Sequence, residues 1–202
     1  MKTIFLHGLG QTSNDWNEVI KQILYLDSEC PELFYLSEND ITYSKILFGL
    51  EKLYANITEP FNICGVSLGA ILALNYTIRN SDKVNSLILI GVQYKVPSFI
   101  IDFQNLLFRF MSQKAFANMG ISKKDVIKLA HSIRSLDLRR DLNKIKCPVT
   151  IICGEKDIIN LKAAKKLSKI LPQAELYIIP NVGHEVNKYA PEAIANILSL
   201  KI

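Results

Sequence analysis

Three short segments carry residue types that could together perform nucleophilic catalysis: Gly65-Val66-Ser67-Leu68-Gly69, Gly154-Glu155-Lys156-Asp157 and Asn181-Val182-Gly183-His184. A serine hydroxyl is a poor nucleophile until a base removes its proton. That base is usually a histidine whose second ring nitrogen is held by a carboxylate. The serine segment follows the apolar run Phe61–Cys64 and opens into Ala70-Ile71-Leu72-Ala73-Leu74. A G-x-S-x-G turn between strand and helix lifts the hydroxyl above the sheet end, and its glycines let strand and helix approach closely. Ser67 is therefore the expected nucleophile. Asp157 and His184 each follow a later strand-like run, and the order Ser, Asp, His is the one expected for such a turn. Glu155 competes with Asp157 as the orienting acid; Asp157 lies deeper in its loop and is preferred.

The first strand-like run ends in His7-Gly8-Leu9-Gly10. Glycines there let a backbone N–H turn toward Ser67. The N–H groups of Leu9 and Leu68 are the expected donors to a carbonyl oxygen that gains negative charge under attack. His7 precedes the turn and is read as structural. His131 falls in a later helical segment.

These loops need a scaffold that brings them to one edge. Strand-length apolar runs at Thr3–Leu6, Leu33–Leu36, Phe61–Cys64, Val84–Ile90, Val149–Cys153 and Leu176–Ile179 alternate with segments of helical period. The helical segments are Trp16–Leu26, Thr42–Asn56, Ser67–Arg79, Leu161–Leu171 and Ala190–Leu200. Strands that are apolar throughout belong to a parallel sheet covered on both faces. Right-handed crossovers then give a doubly wound α/β sandwich of six strands in a single domain, residues 1–202. From Tyr94 to Lys146 there is no clear strand, although a crossover needs only about a dozen residues. Two segments fill it: the apolar Ser98–Met111, and Ser122–Ile133, where Ser122 and Asp125 form a capping pair. The insertion, about 95–135, is expected to form a lid over the sheet's carboxyl edge; an ordinary crossover with one extra packed helix is the alternative.

Composition narrows the function classes. The chain has 202 residues, 49% hydrophobic and 21% charged, with a net charge of +5 spread without a basic run. Nucleic acid is therefore not an expected partner. No apolar stretch reaches the roughly 18 residues of a membrane span, and Met1–Leu6 is too short for a signal segment. Cys30, Cys64, Cys147 and Cys153 have neither framework nor CxxC spacing, so a reducing, cytoplasmic setting is expected. The scattered histidines and cysteines offer no metal-ligand set.

Taken together, these residues resemble the α/β-hydrolase superfamily. The likeness runs from Phe5-Leu6-His7-Gly8-Leu9-Gly10 with Trp16, through Cys64–Ala70 and Asp141–Val149, to Gly154–Asp157 and Val182-Gly183-His184. It implies a mostly parallel sheet, a Ser-His-Asp triad of Ser67, His184 and Asp157, and a helical lid after the fourth strand. Two departures stand out. The two leading antiparallel strands of the family have no counterpart, and the lid is short, which implies an open or shallow pocket.

The expected activity is that of a compact, carboxylesterase-like serine hydrolase: cleavage of a carboxylic ester or related acyl bond through an acyl-enzyme. It needs no cofactor and no metal, and its partner is a small-molecule acyl substrate. Thioesterase, lactonase, amidase, aminopeptidase, C–C hydrolase and perhydrolase chemistry occur on similar scaffolds, as do ligand receptors that do not turn over.

Overall fold

Runs of wholly buried residues make the strands. In the computed structural model, which describes residues 1–37, 40–98, 102, 116 and 121–202, every residue of Thr3–Leu6 (β1), Phe61–Val66 (β3) and Val149–Gly154 (β5) is buried. Val84–Ile90 (β4) exposes one residue of seven. Ser28–Glu29 (β2) and Ala174–Ile179 (β6) are the partly exposed edges. The order is β2-β1-β3-β4-β5-β6 and every pairing is parallel. A parallel sheet of six strands is what the sequence predicts, although its second strand lies elsewhere than expected.

Alternate residues of each strand feed two cores. Ile4, Leu6, Ile63, Leu87, Leu89, Ile151 and Cys153 pack on one face beneath α2 (Tyr43–Leu53), α3 (Leu68–Arg79), α4 (Lys123–Ser132) and α5 (Ile158–Ile170). Phe5, Cys64, Val66, Ile88, Ile90 and Ile152 pack on the other, beneath α1 (Asn17–Ile20), α6 (Val186–Tyr189) and α7 (Pro191–Ser199). Both faces are covered, which is why the strands are apolar throughout rather than alternating.

Two expected elements differ. Leu33–Leu36 is a 3-10 turn rather than the second strand, with the Tyr35 N–H donating to the Glu32 carbonyl. Leu33 and Phe34 are both buried although adjacent. A turn directs neighbouring side chains inward together, whereas a strand sends them to opposite faces. The strand is the two-residue β2, five residues upstream. The helix expected over Trp16–Leu26 is a 3-10 turn at Ser13–Trp16 followed by the short α1. It starts early because the Asp15 carboxylate accepts the Thr12 N–H at 2.7 Å, and past it Leu24 and Tyr25 stand in solvent.

The chain leaves β1 for β2 on one side and returns to β3 on the other, so the crossover direction reverses between β1 and β3. Such a reversal opens a crevice at the carboxyl ends of the strands. The loops after β1 and β3 meet there, and those after β4, β5 and β6 join them. Within the β4–β5 connection, Ser122 caps α4 as expected, its hydroxyl accepting the Asp125 N–H at 3.2 Å. The expected apolar lid segment Ser98–Met111 lies outside the described residues, apart from Ser98 and Asp102. Among the described residues no helix is long and apolar enough to cross a membrane.

Candidate active site

Ser67 links β3 to α3 with φ 54° and ψ −113°, a backbone conformation non-glycine residues rarely adopt. Its N–H donates to the Ile90 carbonyl on β4 at 2.9 Å, which ties the turn to the neighbouring strand. The flanking glycines are required by contact. A Cβ on Gly65 would lie 2.2 Å from the Gly69 carbonyl oxygen, and one on Gly69 would lie 2.1 Å from that of Leu6.

Ser67, His184 and Asp157 come together from three loops. His184 Nε2 lies 2.9 Å from Ser67 Oγ, and His184 Nδ1 lies 2.6 Å from Asp157 Oδ2. An ionised carboxylate only accepts, so Nδ1 carries the ring proton and Nε2 is free to accept from the serine hydroxyl. The Asp157 side chain is 10% exposed and that of His184 is 41% exposed, so the base is far more open to solvent than the acid. Burial by itself would push the Asp157 carboxyl up. Hydrogen bonds from His184 and Asn160 outweigh it and hold the group below the ordinary carboxylate range. Glu155, the competing acid, instead accepts the Asn181 N–H at 2.9 Å and steadies the loop that carries His184.

Sequence reasoning missed two side chains behind Asp157. Asn160 Nδ2 donates to Asp157 Oδ1 and Oδ2 at 3.0 and 2.8 Å, and Gln93 Nε2 donates to Asn160 Oδ1 at 2.6 Å. The spacing Asp157 to Asn160, one turn at a helix start, was the available signal.

Leu9 and Leu68 both border the cavity at Ser67. Leu68 is the first residue of α3, where an N–H has no acceptor within the helix. The Gly8 N–H is taken by Gln11 Oε1 at 3.1 Å. His7 is fully buried; its Nδ1 donates to the Gly8 carbonyl at 3.0 Å and its Nε2 accepts the Leu33 N–H at 3.1 Å. It is a structural residue of this loop. Gln11 was not foreseen. From its bond to Gly8 it reaches across to Glu185 Oε1 and Asn187 Oδ1, both at 3.2 Å, joining the β1 loop to the segment that follows His184.

The crevice holds a cavity of about 220 Å³ lined by Ser67, His184 and Asp157. Ile71, Val96, Leu129, Ala130 and Ile133 add apolar lining. Part of the β4–β5 connection therefore lines the site.

No protein-family profile matches the chain. The pimeloyl-[acyl-carrier protein] methyl ester esterase of Vibrio atlanticus is 26% identical over 160 residues, 59% of this chain and 62% of that protein. The chain thus spans under two thirds of that relative. The enzyme of the same name from Vibrio vulnificus is 22% identical, with 96% of this chain and 91% of that protein aligned. The enol-lactonase of Burkholderia xenovorans superposes with a TM-score of 0.84 at 14% identity, covering 98% of this chain and 89% of that one. The chain has the α/β-hydrolase fold. In an α/β-hydrolase the loops after the strands, not the fold, decide the chemistry, and here five of them converge on Ser67.

Proposed function

We propose that this α/β-hydrolase cleaves carboxylic esters through Ser67, His184 and Asp157. The observation that carries the reading is the continuous chain of short contacts from Ser67 Oγ through the imidazole to a buried, ionised carboxylate, opening on an apolar cavity. Ser67 Oγ attacks the ester carbonyl as His184 Nε2 takes its proton, and the Leu9 and Leu68 N–H groups hold the resulting oxyanion. His184 then protonates the departing alcohol, leaving an acyl-serine. Water, deprotonated by the same imidazole, attacks that acyl group and releases the acid. Asp157 keeps the ring in the required tautomer and stabilises the imidazolium. The apolar cavity fits a short or medium acyl chain, and the relatives named for methyl ester cleavage favour a small alcohol. The four free thiols fit a reducing compartment, and a cytoplasmic site of action is part of the proposal.

The test is labelling by a fluorophosphonate probe and turnover of short p-nitrophenyl esters by the unaltered protein and by Ser67→Ala. Labelling and turnover that both vanish in Ser67→Ala are expected. Their absence from the unaltered protein would make the scaffold a ligand receptor.

A further inference from the structure

Gln93, Pro97 and Ile159 line the catalytic cavity on one side and, on another, an adjacent groove of about 460 Å³. Lys95, Lys162 and Lys166 border this groove, and no acidic residue does so among the described residues.

We propose that this groove holds an anionic group, a carboxylate or a phosphate, on the part of the substrate remote from the scissile ester. The inference rests on reading the Ser67 site as an ester hydrolase and names the substrate class it takes. Helix α5 carries Lys162, Lys165, Lys166 and Lys169 and no acidic residue. Lys162 and Lys166 are four apart, so they share one helix face and repel each other. Some exposed lysines elsewhere have carboxylate partners, as Lys21 has Glu18 and Lys144 has Asp141. Among the described residues, neither Lys162 nor Lys166 forms an ion pair. Lys95 acts on the Asp137 carboxylate, which the Arg139 guanidinium already holds at 2.7 Å. Two lysines without an ion pair among the described residues, and a third whose carboxylate neighbour is engaged by Arg139, therefore border a groove that shares three lining residues with the catalytic cavity. An ammonium is a point charge that accepts a carboxylate or a phosphate alike.

The test compares three esters of equal chain length: methyl hexanoate, monomethyl adipate and methyl 6-(phosphonooxy)hexanoate. Three exposed charge pairs of ordinary strength amount to about a tenfold preference in kcat/KM for an anionic ester. The preference should shrink as salt rises and disappear in the triple variant Lys95→Gln, Lys162→Gln, Lys166→Gln, while Lys52→Gln retains it. The larger of the two anionic preferences separates carboxylate from phosphate. Equal kcat/KM for neutral and anionic esters, or a preference that survives the triple variant, overturns the proposal. Calorimetric binding of monomethyl adipate and methyl hexanoate to Ser67→Ala, with and without the three lysines, separates this from the hydrolase reading. Lysine-dependent adipate binding by a protein that turns over no ester keeps the anion site and sinks the hydrolase. Adipate binding that ignores the lysines, or no adipate binding, sinks the anion site whatever the turnover.

Discussion

Asn160 Nδ2 stands 3.0 and 2.8 Å from the two carboxylate oxygens of Asp157, so one amide spans both oxygens of the acid that faces His184. The amide orientation is fixed from its other end, where Oδ1 accepts from Gln93. Reversed, it would aim a carbonyl oxygen at a carboxylate. The same Nδ2 lies 3.1 Å from His184 Nδ1. With Nδ1 donating its proton to Asp157, the Asn160 hydrogens are left for the carboxylate. Asn160 thus acts as a positioning residue that keeps Asp157 ionised.

Asn160→Leu removes these donors. A hydrogen bond to a charged group is worth about 1.5–3 kcal/mol, so kcat is expected to fall about ten- to a hundredfold. Because Asp157 loses a group that holds its carboxyl down, activity should fail at a higher pH on the acid side than in the unaltered protein. A full kcat/KM profile against pH checks this; a profile scaled down without an acid-side shift would assign Asn160 to packing alone.

In the proposed reaction the His184 ring accepts the Ser67 proton at Nε2 while Nδ1 keeps its proton on Asp157. Asp157→Asn replaces an acceptor with a side chain that can also donate, which favours the wrong tautomer. Turnover should fall by orders of magnitude while the fold persists. A loss of only a few-fold in Asp157→Asn would contradict these roles.

Gln11 is 3% exposed and ties the Gly8 N–H to Glu185 and Asn187. Gln11→Leu leaves the buried Gly8 N–H and the fully buried Asn187 amide short of partners. Each such group costs about 1–3 kcal/mol, so Tm should drop by several degrees. Both the donor loop at Leu9 and the His184 loop are loosened, so kcat should fall even well below the new Tm. Thermal unfolding read beside kcat at low temperature separates the two effects.

The site was more legible than the path to it. Ser67, Asp157 and His184 were readable because each follows an apolar run of strand length, and parallel strands deliver their following loops to one edge. Asn160, Gln93 and Gln11 were not. Polar residues near loops are common, and only the folded chain places Gln11 against Asn187, 176 positions away. The same limit explains Leu33–Leu36. Four apolar residues in a row have no periodicity, and the bond from the Leu33 N–H to His7 Nε2 that holds the turn joins residues 26 apart.

His7 gives the protein an acid-sensitive element at the base of the Leu9 loop. Burial lowers its pKa, more than the Gly8 carbonyl and the Glu32 charge raise it. A histidine held neutral in the fold protonates first in the unfolded chain. Its contribution to stability is therefore complete above the ordinary histidine value of about 6.5. It is lost progressively as pH falls below that value toward the lower folded one. Tm measured between about pH 7 and 5 should decline, and the decline should be smaller in His7→Gln, which has no group that titrates there.

Gly91 separates stability from catalysis most sharply. It sits at the end of β4 with φ 59°, and a Cβ there would lie 3.1 Å from both Cε1 and Nδ1 of the His184 ring. Gly91→Ala therefore carries two penalties of different kinds. The left-handed backbone costs a non-glycine residue about 1–2 kcal/mol, which lowers Tm. The methyl group also presses on the imidazole and must displace it by a few tenths of an ångström, away from Ser67 or Asp157. The second penalty bears on the rate as well as on stability, and kcat together with the rate of fluorophosphonate labelling should fall about tenfold or more, given how steeply rate follows a misplaced base. Gly91→Asn distinguishes the two, because asparagine tolerates the left-handed conformation better but still bears a Cβ. It should recover much of the lost Tm and none of the lost kcat. If activity returned with stability, the contact between position 91 and the imidazole would have no part in the reaction.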